Sequence, residues 1–347
     1  MHMIALNGLT SMFSSKQHYL LGTPFYCLNF VAQRSKTGAV TISNIQYSNN
    51  SLFKDNAFLD ASILRSIKGD KNVIYLTTPT SQFLYRTKIE AKMRNQGVRA
   101  LIPLLKERFN IDLTQNKVAV LDAENGIEVK ENTQVLPENL CIIGAQNSEL
   151  KMMQNELLEY KFFPKKLCLS SLLVPGAIAN YQQMSHLEKP VLVVDFSSQR
   201  SCIYIVNKKQ ILAAYPPTHG FKNIVTLGRK ECNLPDDITT LKHLTSTIKH
   251  ESEQQDILLQ RFVSDIKSYI NFFEVQVGLS IENFFITGLP EGLEWIEEST
   301  AKAIEVPVLK IDYNEWIKSN NIVLPKDKNI NPKALFGMVS ALIHYKR

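Results

Sequence analysis

The sequence holds no CxxC pair and no Cys/His spacing suited to zinc. Its five cysteines, Cys27, Cys141, Cys168, Cys202 and Cys232, stand singly and mostly among apolar residues. That pattern excludes a disulfide framework and points to reduced core thiols in a cytosolic protein. Long apolar runs are missing as well. None approaches the length that spans a bilayer, and the opening Met1-His2-Met3-Ile4-Ala5-Leu6 lacks the basic start and long apolar core of a secretory signal. A role at a membrane would therefore need another protein as the anchor. Dense Lys/Arg patches interleaved with aromatics are absent too, which counts against nucleic acid. The net charge of +6 is mild, compatible with work near an anionic membrane surface.

What is present is ordinary globular material, 44% hydrophobic and 21% charged. At 347 residues the chain exceeds one ordinary core, so two or more lobes are expected. Residues 18–50 read as strands, broken at Gly22-Thr23-Pro24. Residues 58–67 read as a short amphipathic helix and Val73-Ile74-Tyr75-Leu76-Thr77 as a strand. Residues 73–144 look like a compact α/β unit of their own, closed by the strand at 139–144. A helix follows to about Lys161, then a short strand over 167–173 and a helix over 176–184. The polar segment 237–255 reads as a surface excursion. Residues 256–276 make the strongest helical pattern, and its aromatics Phe262, Tyr269, Phe272 and Phe273 read as core. Residues 283–288 are a strand ending in Gly288, 293–303 a helix, 306–312 extended, and 334–345 a final helix.

The most informative stretch is Val191-Leu192-Val193-Val194-Asp195, followed by Phe196-Ser197-Ser198 and a second apolar run over 201–206. It reads as strand, tight turn, strand. A buried strand that delivers Asp to a turn of small residues can present a carboxylate and backbone N–H groups to a phosphate and its metal. It also makes an ordinary hairpin. Residues 18–50 and 191–215 share one plan of apolar strand, small-residue turn, strand and third strand, which suggests duplication into two lobes facing a cleft.

Val73 to Pro79 with Tyr85-Arg86-Thr87, Leu140 to Ala145, Phe163-Pro164, Val191 to Val206, Lys267 to Glu274, Phe284 to Gly288, Val306-Pro307-Val308 and Ala334 to Leu342 occur in an order that resembles the actin-like ATPase superfamily. Within it, they resemble the PilM family of type IV pilus assembly proteins, relatives of FtsA. The resemblance implies an α/β, actin-like two-lobe fold (ribonuclease H-like, duplicated) with a small inserted α/β subdomain. The spans it implies are 14–72 plus 145–188 for the first lobe, 73–144 for the insert and 189–347 for the second lobe. It also implies relics of an ATP site with Mg²⁺: Gly22 and Thr23 in the first phosphate loop, Asp195, Ser197 and Ser198 in the second, Gly220 near the ribose, and Gly288 in the adenosine loop, with Asp195 on the metal.

All three loops depart from the family pattern. The first reads Leu20-Leu21-Gly22-Thr23-Pro24, with no Asp and with a proline that removes one backbone donor. Ser197 stands where a glycine would let the backbone approach a phosphate. Gly288 is followed by Leu289-Pro290 rather than by further glycines. Nucleotide binding is thus expected to be weak or lost. The resemblance then implies a cytoplasmic scaffold, held peripheral to the inner membrane by the short cytoplasmic N-terminal tail of a PilN-like inner-membrane protein. Other pilus assembly components and a second copy of the chain are further partners it allows. The alternative is an active ATPase or sugar-kinase-like enzyme on the same fold, which needs a first-lobe carboxylate that this sequence lacks near Gly22.

Overall fold

The computed structural model describes residues 16–23, 25–49, 61–67, 71–124, 126–208, 210–287, 289, 291–325, 330 and 332–343. Two sheets carry the lobes. In the first, β1 (Gln17–Gly22), β2 (Tyr26–Arg34) and β3 (Val40–Asn49) form an antiparallel meander. Strand β4 (Asn72–Thr77) then returns parallel to β1. The inserted subdomain supplies β5 (Phe83–Lys88), β6 (Asn116–Asp122) and β7 (Asn139–Gln146), after which β8 (Phe163–Leu169) lies parallel to β4. In the second lobe β9 (Val191–Asp195), β10 (Arg200–Asn207) and β11 (Gln210–His219) repeat the meander, and β12 (Asn283–Thr287) returns parallel to β9. Val308 continues that sheet beside Phe284. Both sheets therefore run third, second, first, fourth, fifth in space. One topology used twice is the duplicated, two-lobe arrangement expected from the sequence.

Burial explains why these runs are central strands. All of Val191–Asp195 is buried, as a strand covered on both faces must be. Helix Ser170–Met184 packs on β9 and β10, while helix Ser252–Val277 lies against β11. One apolar core passes through both lobes, from Leu21, Phe25 and Leu28 to Val193, Phe196, Phe262 and Phe284.

The structure corrects the expected boundaries in two places. Strand β4, placed in the 73–144 insert, sits inside the first-lobe sheet between β1 and β8. Its continuous apolar run is that of a buried parallel strand rather than a subdomain edge. The second lobe does not continue to residue 347. After helix Tyr313–Ser319, β13 (Ile322–Val323) adds to β3 at the edge of the first-lobe sheet. Helix Pro332–Ile343 then packs its Gly337 against Leu21 and Tyr26. The inserted sheet has the order β5-β7-β6 and its own core of Ile89, Leu104, Leu105, Leu136 and Ile142.

Helix assignments shift as well. The supposed surface excursion contains helix Asp237–Ser246, capped by the Asp236 carboxylate on Thr239 N. Helix Ser170–Met184 starts where a strand was expected to continue, and Pro175 falls in its first turns. The aromatic stripe of the long helix divides. Phe262 and Phe273 are core, Tyr269 packs against the core and stacks on Tyr215 at 4.4 Å, and Phe272 is 53% exposed. Expected elements at 58–60 and 344–345 fall outside the described residues. Among the described residues no helix is long and apolar enough to cross a membrane.

Helix Asn147–Glu159 covers the first-lobe sheet and carries a perturbed carboxylate. Burial, and then the neighbouring Glu159, push Glu156 up to about 7. A raised carboxyl holds its proton longer in the folded state than in the unfolded one. Folded stability therefore falls as pH rises from the ordinary glutamate range to about 7. Allowing for solvent screening at this half-buried site, Glu156→Gln is expected to remove about 1–2 kcal/mol of that decline. Urea unfolding of both proteins at pH 5 and pH 8 measures it.

Candidate functional site

The two loops expected to hold phosphates face each other across the seam between the lobes. The first leaves β1 at buried Gly22. The Thr23 hydroxyl closes this turn on itself: it accepts from Phe25 N at 3.3 Å and Tyr26 N at 3.0 Å, and donates to Tyr26 O at 3.0 Å. Backbone donors that could face a phosphate are thus spent within the turn, while Pro24 lies outside the described residues.

The second loop is engaged through its carbonyls. The carbonyls of Ser197 and Ser198 accept from Phe221 N at 2.9 Å and Lys222 N at 2.8 Å, and Gln199 O accepts from Gly220 N at 3.2 Å. These bonds satisfy the first N–H groups of helix Phe221–Glu231, the donors that an anion would otherwise seek. Gly220 permits a close approach, but the approaching group is the chain itself. A Cβ at Gly220 would lie 2.5 Å from Gln199 C, 2.7 Å from Arg200 N and 2.7 Å from Ser197 O. Because all three are backbone atoms, Gly220→Ala is expected to cost about 2–3 kcal/mol, read as a lower urea midpoint with unchanged slope.

Asp195 is 4% exposed, at the end of β9. Its Oδ2 accepts from Ser170 Oγ at 2.8 Å and, more distantly, from Gln82 Nε2 at 3.5 Å, while Oδ1 accepts from Thr287 Oγ1 at 3.0 Å. Gln82 also donates to Ser170 Oγ at 3.0 Å and accepts from Ser171 N at 3.2 Å. Ser170 opens helix Ser170–Met184, so the carboxylate sits at the positive end of a helix. Burial dominates its proton affinity and raises its pKa, against the lowering effect of Ser170, Thr287 and Gln82. Beside it in the register, burial pushes the Cys202 thiol up to about 12, as befits an inert core thiol.

Aromatic rings fill the space between the loops. Phe25, next to the first loop, stacks on Phe196 of the second with centroids 6.0 Å apart and meets Phe221 edge-on at 5.9 Å. Phe196 also meets Phe221 at 6.4 Å and Phe262 at 6.1 Å. All four rings are 3% exposed or less.

These residues do not fit Mg-ATP. A phosphate site needs free N–H donors and a carboxylate open to metal or water. Here the N–H groups of the first loop and of the facing helix start bind protein acceptors, the carboxylate has protein donors on both oxygens, and phenyl rings stand between the loops. Among the described residues no group of three His, Cys, Asp or Glu could hold a metal ion. The structure thus brings Gly22, Thr23, Asp195, Ser197, Ser198 and Gly220 to one seam, while Gly288 lies outside the described residues. Sequence reasoning missed Gln82, Ser170, Thr287, Phe25 and Phe221. Ser197, standing where a glycine would let the backbone approach a phosphate, was the available signal.

No protein-family model and no curated protein matches the sequence. Solved structures do resemble it in three dimensions. A PilM–PilN type IV pilus biogenesis complex matches with TM-score 0.69 at 11% identity, covering 96% of this chain and 99% of that one. The cytoplasmic domain of EpsL, an inner membrane component of the type II secretion system of Vibrio cholerae, matches at TM-score 0.42 and 9% identity over 95% of each chain. An archaeal actin homologue matches at TM-score 0.42 and 10% identity, over 94% of this chain and 100% of that one. The last two likenesses are too loose to align individual elements. The repeated sheet topology and the whole-length match to a chain of the PilM–PilN complex together establish a two-lobe, actin-like fold.

Proposed function

We propose that this chain is a non-catalytic scaffold of type IV pilus assembly, or of a related secretion machine, that binds the short cytoplasmic tail of a PilN-like inner-membrane protein. The observation that carries this reading is the whole-length likeness to the PilM–PilN complex, at TM-score 0.69 over 96% of the chain. The likeness spans the inserted subdomain as well as both lobes. The tail docks where that subdomain meets the first lobe, and the membrane partner supplies the anchor. A role without hydrolysis is supported by the seam, where Asp195 and both loops are engaged by the protein itself. The ATPase or sugar-kinase alternative draws no support from this arrangement.

Synthetic peptides matching the N-terminal tails of single-span membrane proteins encoded beside this gene test the proposal. Titration calorimetry is expected to give saturable binding for one of them, without nucleotide. If no peptide binds and the neighbouring genes encode carbohydrate metabolism, the scaffold reading fails.

A further inference from the structure

The residue that the resemblance would direct at a metal has a different set of partners, and they lie on three separate parts of the chain. Asp195 ends the first strand of the second lobe. Ser170 starts the helix that follows the last long strand of the first lobe. Gln82 stands one residue before β5, where the chain enters the inserted subdomain. The Ser170 hydroxyl donates to Asp195 and accepts from Gln82, so one hydroxyl joins lobe to lobe and both to the root of the insert.

Backbone and side-chain bonds hold the root as well. Gln82 N donates to Pro79 O at 3.2 Å. Glu149, in the first turn of helix Asn147–Glu159, accepts from Thr80 N at 2.7 Å, Thr80 Oγ1 at 2.9 Å and Ser81 N at 2.9 Å. It also accepts from the Ser81 hydroxyl. Ser81 Oγ in turn accepts from Gln146 N at 3.0 Å, tying the outgoing chain to the returning one. Beyond this root β5 runs alongside β11 of the second lobe. The rings of Phe25 and Phe196 close the same seam on its apolar side.

We propose that Asp195, Ser170 and Gln82 form a latch that holds the two lobes closed and seats the inserted subdomain, doing with the protein's own donors what a bound nucleotide does in a cleft that opens and closes. In this state the subdomain pose is built into the fold, and the partner surface it presents is permanently set. The inference deepens the scaffold reading. Its test uses this chain alone, so the latch can fail while tail binding stands, and the reverse.

Hydrogen–deuterium exchange on the full-length chain is the test, comparing wild type with Asp195→Ala and Gln82→Leu. Asp195→Ala is expected to speed exchange on the order of tenfold in peptides covering 83–88 and 170–173, as well as around 195–203. Gln82→Leu is expected to reproduce the acceleration at 83–88 and 170–173 while leaving 200–207 at the wild-type rate. Acceleration confined to the second lobe in Asp195→Ala, or an unchanged 83–88 in Gln82→Leu, overturns the latch. Should Asp195→Ala not fold, Ser170→Ala takes its place: release of 83–88 supports the latch and wild-type exchange there refutes it.

Discussion

Phe196→Ala is expected to lower folding stability by about 3–5 kcal/mol, the range for truncating a fully buried aromatic ring. Phe196 is 2% exposed and contacts Phe25, Phe221 and Phe262 at centroid distances of 6.0, 6.4 and 6.1 Å. It joins the two lobes, so its loss opens a cavity at the seam that neither sheet can collapse into without moving the other. The control is Phe272→Ala, which removes a ring that is 53% exposed and should cost under about 1 kcal/mol. Urea unfolding read by fluorescence and by circular dichroism separates the two. Equal small losses would mean that the rings between the loops contribute no closure.

The second large effect is expected at Asp195. Asp195→Ala leaves the Ser170 and Thr287 hydroxyls and the Gln82 amide without their shared acceptor inside a buried site. Ser170 and Gln82 keep their bond to each other, but the unpaired Thr287 hydroxyl and the lost volume together cost about 2–4 kcal/mol. Asp195→Asn keeps the volume and one carbonyl acceptor and relieves the burial of a charge, so its cost is smaller than that of Asp195→Ala. The order matters more than the magnitude. A residue kept for a metal would show little stability loss on either substitution when no metal is present, because removing an unpaired buried carboxylate relieves its desolvation cost. Thermal and urea unfolding in chelator-treated buffer therefore distinguish a latch from a relic metal ligand.

Much of this fold was legible in the residues. The runs Val191–Asp195 and Val73–Thr77 announced strands, and the repeated meander announced two lobes. Strand β4 went to the wrong unit because a single apolar run does not say which sheet it joins; only pairing with β1 and β8 decides that. The return of β13 to β3 was invisible for a similar reason, being two residues long and set by a parallel pairing with Val40 and Thr41. The long helix shows the limit of periodicity. Its pattern identified the helix, but the ring at 272 falls outside the buried face that Phe262, Ile266, Ile270 and Phe273 share. At the site, the sequence disclosed the missing carboxylate near Gly22 and the bulk at Ser197. It did not disclose what had taken their place, since Gln82, Ser170 and Thr287 lie 113, 25 and 92 residues from Asp195.

The seam between the lobes is occupied by the protein itself. Titration calorimetry of the wild-type chain with Mg-ATP to millimolar concentration, paired with thermal shift under the same conditions, tests this most directly. No saturable heat and an unchanged melting temperature are expected. Saturable binding that is abolished by Asp195→Asn would contradict that occupancy and return Asp195 to the role of a metal-side carboxylate.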